Sequence, residues 1–299
     1  MNISIFHYSS PDALIQLCMH LDITPEVANR LAFHIGSMDL APFEPYFRGL
    51  FSLDTGKDAA TEISALCRTA EDPTGDSGMK VLAVLLAAAQ HTQEVYDELG
   101  INDVIYFDTI KAFSRFLNEH KTSFGHFGFD RHLWIYRQLS ARLFRLGALE
   151  FEIYTLPKDA SPIGTVPAGS PMLSVHIPSD AVMTREALDA SYRMARNFFA
   201  EFFPSYPYQC VYCSSWLLSP ILKKILKPGS RIIDFQSDYE ITHVDLETNG
   251  GINWVFKRDY DDYTKLPEET SLMRGMKRIL LEGGKTGVAS GYVRDFYSR

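Results

Sequence analysis

Residues 208–240 read YQCVYCSSWLLSPILKKILKPGSRIIDFQSDYE, and the order of runs and breaks in this stretch decides the fold class. The aromatic and β-branched run Tyr208 to Tyr212 predicts a strand. Ser214 and Ser215 end it and offer a hydroxyl cap. From Trp216 to Leu226, Leu217, Leu218, Ile221, Leu222 and Ile225 recur at helical spacing and predict a short helix. Pro228-Gly229 breaks that helix, and Arg231 to Phe235 predicts a second strand. A strand entering a helix through a short polar turn leaves backbone N–H groups unpaired at a strand end. That suits an anion or a polarised carbonyl, and it is equally an ordinary way to build an α/β unit.

The pattern extends in both directions. Upstream, Ala148 to Thr155 alternates, with Leu149, Phe151 and Ile153 on one side and Glu150, Glu152 and Tyr154 on the other, as in a half-buried strand. After a loop rich in Pro, Gly and Ala, Met172 to Ile177 predicts an antiparallel partner. Arg185 to Phe203 predicts a helix with Leu188, Tyr192, Ala195, Phe199 and Phe202 on one face. Downstream come a strand from Ile252 to Lys257, a helix from Glu268 to Leu281 and a strand from Thr286 to Val293. The second half therefore reads β-β-α-β-α-β-β-α-β, a mixed sheet with helices against it.

Residues 1–146 read as almost entirely helical. The expected helices are Pro11 to Leu21 capped by Ser10, Thr24 to Ile35 with Pro25 in its first turn, Ala59 to Thr69, Met79 to Leu99, Ile105 to Glu119, and Leu133 to Leu146 closed by Gly147. The class is α+β, with a helical domain over 1–146 and a mixed-sheet domain over 147–299. No flexible linker separates them.

Composition narrows the function. A hydrophobic content of 46% over 299 residues supports a substantial core. A net charge of −8 argues against broad binding to nucleic acid or an anionic membrane. The most apolar run, Val81 to Ala89, is far shorter than the roughly 20 residues that span a bilayer. The amino end shows no secretory pattern, and four scattered cysteines make no disulfide framework. A cytoplasmic protein is expected.

The candidate chemistry lies mostly in the second half. His176 ends a strand, where active sites gather, and an imidazole changes charge near neutral pH. Glu150 and Glu152 share a face, as a base or an amine-holding pair would, or as a solvated sheet face would. Cys210 and Cys213 form a C-x-x-C within a strand, where positions three apart point to opposite faces, so no metal site is expected. Gly283-Gly284-Lys285-Thr286-Gly287 follows a helix and precedes a strand. That order suits a helix C-cap better than a phosphate loop. Arg142 and Arg145 share a face of the helix expected there and can clamp an anion or pair with the nearby glutamates.

Several phrases carry a family resemblance: WIYRQLSARLFRLGALEFE (134–152), LSVHIP (173–178), SYRMARNFFAEFFPSYPY (191–208), CSSWLLSPILKKIL (213–226), SRIIDFQSDYEI (230–241) and LPEETSLMRGMKRILLEGG (266–284). In order and over more than half the chain, they resemble a bacterial N-acyltransferase family with a helical N-terminal domain and a GNAT-like C-terminal domain. The resemblance implies acyl transfer from acyl-CoA to a small-molecule amine, with no tightly bound cofactor. It implies His176 or Glu150 as base and Tyr192 or Tyr292 as acid. Ser214, Ser215 and Trp216 would hold an anion through their backbone, with Arg145 beside the cofactor. The usual pyrophosphate loop, Arg or Gln followed by x-x-Gly-x-Gly or Ala, is absent, and the turn at Cys213 to Leu218 is its nearest substitute. The competing expectation is a non-catalytic ligand-binding or interaction protein on the same fold.

Overall fold

The computed structural model describes residues 3–52 and 54–297. The chain forms two compact units, Met1–Arg145 and Leu146–Arg299. The first is helical and is built on Met79–Leu99. Every residue from Val81 to Ala89 is buried, so this apolar run is the centre of the helical unit's core. Ser10 caps Pro11–His20 by accepting from the Ala13 N–H, and Pro25 opens Pro25–Ser37. The two helices pack on one another. Asn102 caps Asp103–Ile110, a second helix covers Ala112–Phe124, and the expected single helix is thus broken at Lys111.

The larger correction falls at the end of this unit. The expected helix from Leu133 to Leu146 stops early, at His132–Leu139. Ala141 takes a positive φ of 51°, which a helix cannot continue through. Leu143–Leu146 then forms strand β1, and Gly147, at φ 74°, turns the chain into β2, Leu149–Thr155. Gly147 is therefore a turn residue between strands and not a helix C-cap.

The remaining strands are β3 (Pro171–His176), β4 (Val211–Ser215), β5 (Tyr239–Asp245) and β6 (Val288–Val293), and the sheet order is β1-β2-β3-β4-β6-β5. β2 and β3 are antiparallel, as the alternation indicated. β3 and β4 are parallel, joined by the crossover helix Arg185–Phe202. β4 is antiparallel to β6, and β6 to β5. β3, β4 and β5 therefore all end at one edge, the carboxyl edge of the sheet.

Three expected elements of the deciding stretch and its sequel change type. The strand from Tyr208 starts later and includes both serines. Trp216 to Leu226 is a three-residue 3-10 turn, Trp216–Leu218, followed by the single turn Leu222–Ile225. Pro220 explains the break: it lacks an N–H and pushes Ser219 to ψ 129°, outside the helical region. Arg231–Ser237 is a helix capped by Ser230, and Ile252–Phe256 is a helix as well. The last helix ends at Leu281, and Gly283 takes φ 79° while the Gly284 N–H donates to the Ile279 carbonyl at 2.9 Å, a helix C-cap as the glycine pattern indicated.

Candidate functional site

The register separates the two faces of the sheet. Glu150 pairs with His176 and Glu152 with Ser174, so all four side chains share one face. Ser174 pairs with Tyr212 across the parallel seam, and Tyr212 with Tyr292 beyond it. Ser214 and Ser290, two residues along their strands, lie on the same face. The opposite face carries Phe151, Cys213 and Tyr239 and is covered by Arg185–Phe202: the Tyr192 ring meets Phe151 edge-on at 6.3 Å and its hydroxyl lies 3.2 Å from that of Tyr239.

The parallel seam is the unusual feature. β3 and β4 are linked through Gln209 N–H to the Pro171 carbonyl, Leu173 N–H to the Cys210 carbonyl, and the register pairs Leu173–Val211 and Ser174–Tyr212. The pairing then ends. Val175 and His176 still pair with β2, and Cys213 to Ser215 with β6, and among the described residues no further register pair links β3 to β4. The sheet is closed at its amino side and open at its carboxyl side. An open parallel seam exposes unpaired backbone N–H and C=O groups in a crevice at the strand ends, where α/β proteins bind ligands.

His176 stands on one lip of this opening. Its Nε2 lies 2.7 Å from Glu152 Oε2. Glu150 and Glu152 are 1% and 5% exposed, so this is no solvated sheet face. Level with His176 on the other lip is Ser214, whose Oγ accepts from Ser290 Oγ–H at 2.8 Å. Ser215 Oγ accepts from the Leu217 N–H at 3.1 Å and caps the 3-10 turn. The Trp216 ring is wedged against Gly251, where a Cβ would lie 2.5 Å from it. Trp216 thus offers the site its backbone and not its ring. A three-residue turn aligns few peptide dipoles, so the anion-holding capacity of β4 resides in its unpaired edge. The long helix that follows β3 begins at the same carboxyl edge. Thr184 caps it through the Ala187 N–H at 3.3 Å, which adds a second set of free N–H groups there.

The expected acids separate. Tyr292 shares the face of His176. The Glu240 carboxylate accepts its hydroxyl proton in a hydrogen bond and raises its pKa, with burial adding to the effect. The loop after β2 lies over it: a Cβ on Gly164 would come 3.1 Å from the ring. Tyr192 is on the wrong side of the sheet and fully buried, held by Asp238 and Tyr239. Its hydroxyl belongs to a buried network in which Arg185 grips Asp238 with two hydrogen bonds of 2.8 and 3.0 Å. Arg145 lies in β1, not on a helix, and its backbone N–H donates to Thr109 Oγ1 at 2.9 Å. Burial pushes the Cys213 thiol up to about 12 and the Cys210 thiol up to about 11, so neither is a thiolate at neutral pH. Among the described residues, no group of three or more His, Cys, Asp or Glu side chains is placed to hold a metal ion. No described helix is long and apolar enough to cross a membrane.

Ser290 escaped the sequence reading, and so did the pairing of Glu152 with His176. The second was in principle visible, because antiparallel strands set two residues apart on one face in reach of a partner. The first depends on register between strands far apart in the chain.

The mixed sheet with its open parallel seam belongs to the class of GNAT-like domains. Residues 143–293 match the GNAT-like C-terminal domain family, and residues 12–141 match the N-acyltransferase N-terminal domain family. The chain belongs to the family that joins these two domains. Among solved structures it is similar to an acyltransferase in complex with decanoyl-CoA and teicoplanin, at 23% identity and a TM-score of 0.77, covering 94% of this chain and 87% of that one. It is similar at the same identity, TM-score and coverage to a mutant acyltransferase in complex with octanoyl-CoA. An acyltransferase with decanoyl-CoA alone gives 20% identity and a TM-score of 0.71, again over 94% of this chain and 87% of that one. No curated protein matches the sequence.

Proposed function

We propose that the protein transfers an acyl group from acyl-CoA to the amine of a small molecule. The observation that carries this reading is the open β3–β4 seam with His176 and Glu152 on one lip and Ser214 on the other. Family membership supports the reading, as do the acyl-CoA ligands of the similar structures.

The extended pantetheine arm would lie in the seam and pair with the backbone of Val175 and Ser214, as a strand adds to an exposed edge. The thioester carbonyl then sits between His176 and β4. The amine acceptor attacks the carbonyl carbon, forming the C–N bond, and His176 takes the proton of the incoming ammonium. Glu152, hydrogen-bonded to Nε2, orients the ring and stabilises the imidazolium. Glu150, directly opposite, adds negative charge that favours the ammonium and is the alternative base. N–H groups of the β4 lip, from Ser214 to Trp216, receive the oxyanion. The C–S bond breaks as the carbonyl re-forms, the thiolate leaves with the electron pair and takes a proton from Tyr292, and the second surplus proton of the new amide nitrogen passes to the tyrosinate. The reaction needs no metal and no tightly bound cofactor, and a cytoplasmic site, where acyl-CoA is made, fits it. Arg145 is the residue proposed for contact with the cofactor's phosphates.

Melting temperature and thiol release with a panel of acyl-CoAs and primary amines test the reading. The expected result is a raised melting temperature with acyl-CoA and amine-dependent release of free CoA thiol, lowered about 10²–10⁴-fold by His176→Gln. If His176→Gln and Glu150→Gln both leave turnover unchanged, neither residue is the base. The absent pyrophosphate loop favours the second reading, a non-catalytic binding or interaction protein, which predicts no thermal shift with millimolar acyl-CoA and no thiol release.

A further inference from the structure

The helical unit holds a recess of about 460 Å³, inside the range of about 300–1,000 Å³ usual for a bound small molecule. Ser64 and Arg68 reach it from the end of the helix Gly56–Leu66, His120 and Phe124 from Ala112–Phe124, and His132 from the start of His132–Leu139. The loop 73–78 forms a further wall. In that loop the N–H groups of Gly75 and Gly78 donate to the Asp72 and Thr74 carbonyls at 3.2 and 3.0 Å. Those of Asp76 and Ser77 donate to Asp72 Oδ1 and Thr74 Oγ1 at 3.0 and 3.1 Å. This wall is fixed in advance and has no backbone donor to spare at these four positions, so side chains must hold a ligand.

The side chains offer one cation and one neutral donor. Arg68 is exposed, its Nη2–H donates to Ser64 Oγ at 3.3 Å, and among the described residues no carboxylate pairs with it. Its place after a helix C-terminus accounts for a cation there, but not for the imidazoles beside it. The His132 ring is half-buried and has no hydrogen-bond partner among the described residues. Burial, and then the charge of Arg68, push its pKa below the ordinary value, so at neutral pH it is uncharged and carries one N–H donor. Asp130 is the one carboxylate among the described lining residues, and it accepts from Arg131 Nη1–H at 3.1 Å. The other imidazoles build a wall: His120 and His126 each give Nδ1–H to a backbone carbonyl, at 3.0 and 3.1 Å. The His120 centroid lies 4.6 Å from that of Phe124 and 5.1 Å from that of His126. Phe124 is 52% exposed, while Cys67, Val81 and Phe129 are buried and make an apolar floor. One unpaired guanidinium beside one neutral donor matches a single carboxylate; a phosphate dianion would face Asp130 with one cation to balance it. The ring wall and apolar floor match a flat aromatic body.

We propose that this recess binds an aromatic monocarboxylate, with the carboxylate on Arg68 and the ring against Phe124. The assignment rests on the recess alone and goes beyond the transferase reading, so absent thiol release leaves it standing. The test is calorimetric titration of the full chain with sodium cinnamate and, in parallel, its neutral counterpart cinnamyl alcohol. The expected result is saturable binding of cinnamate, about fivefold or more weaker for cinnamyl alcohol and for Arg68→Gln, and weakened also in Phe124→Ala. Arg68 and Phe124 are exposed, so both variants keep the parent melting temperature. Absence of saturable cinnamate binding, equal binding of cinnamyl alcohol, or an affinity unchanged in Arg68→Gln would overturn the assignment. Displacement of cinnamate by equimolar inorganic phosphate would overturn it as well, by making the recess a general anion site.

Discussion

Tyr192 and His176 are both candidates for the chemistry in the sequence, and the sheet separates them. The physical difference is the face. Tyr192 belongs to a fully buried network with Asp238, Tyr239 and Arg185. Its hydroxyl contacts, at 3.4 and 3.2 Å, are long and contribute modestly. Tyr192→Phe is therefore expected to lower stability by about 1 kcal/mol and to leave thiol release from acyl-CoA intact; a hundredfold loss of turnover at unchanged melting temperature would return Tyr192 to the chemistry. Glu152 behaves in the opposite way. Glu152→Gln keeps a hydrogen-bonding group near His176 but removes the charge that orients and stabilises it. The expected result is a fall in kcat with the KM for acyl-CoA unchanged, smaller than the fall caused by His176→Gln. An unchanged kcat would make the 2.7 Å contact a structural bond only.

At the scale of the element, what could be read depended on whether the signal was local. Caps and long periodic runs were legible: Ser10, Pro25 and the whole of Met79–Leu99 stand where the sequence placed them. Short apolar runs were not. Arg231–Ser237 and Ile252–Phe256 are rich in β-branched and aromatic residues, look like strands, and are helices because tertiary packing overrides a weak propensity. Pro220 was a local signal that the apolar spacing from Trp216 to Leu226 obscured. The open seam lay beyond local reading, because it depends on where a parallel pairing stops. One strand position still carries its own explanation. Gly291 in β6 sits beside the register shift between Ile241 and His243, and a Cβ there would lie only 2.2 Å from the Glu240 carbonyl oxygen. Neither backbone can yield without breaking the β5–β6 pairing. Gly291→Ala should lower stability by about 1–3 kcal/mol, seen as a lower urea midpoint at unchanged slope; an unchanged midpoint would mean that the bulge relaxes freely.

For the whole molecule, the division into a helical and a mixed-sheet unit followed from the change of period near Gly147, a signal summed over many residues. The way the helical unit's loops are fastened did not, since it rests on charges distant in sequence. Arg30 binds Asp76 through its guanidinium, and His34 Nε2 lies 2.6 Å from the same carboxylate. Burial pushes the Asp76 carboxyl up, but the hydrogen bonds from Arg30 and His34 outweigh it and hold the pKa below its ordinary value. In the same loop the Asp76 N–H and Lys80 hold Asp72 down to about 2. Both groups bind protons less readily folded than unfolded. Their contribution is therefore complete above the ordinary carboxylate range, near pH 4, and is lost as pH falls through the depressed values toward pH 2. Asp76→Asn should cost about 1 kcal/mol at neutral pH, a figure reduced for its partial exposure. The gap between the two proteins should close on acidification, because protonation removes the same charge from the parent. Urea midpoints followed by circular dichroism from pH 7 to pH 2 measure this, and a gap that stays constant below pH 4 would show that the Arg30–Asp76–His34 cluster contributes through shape and not through charge.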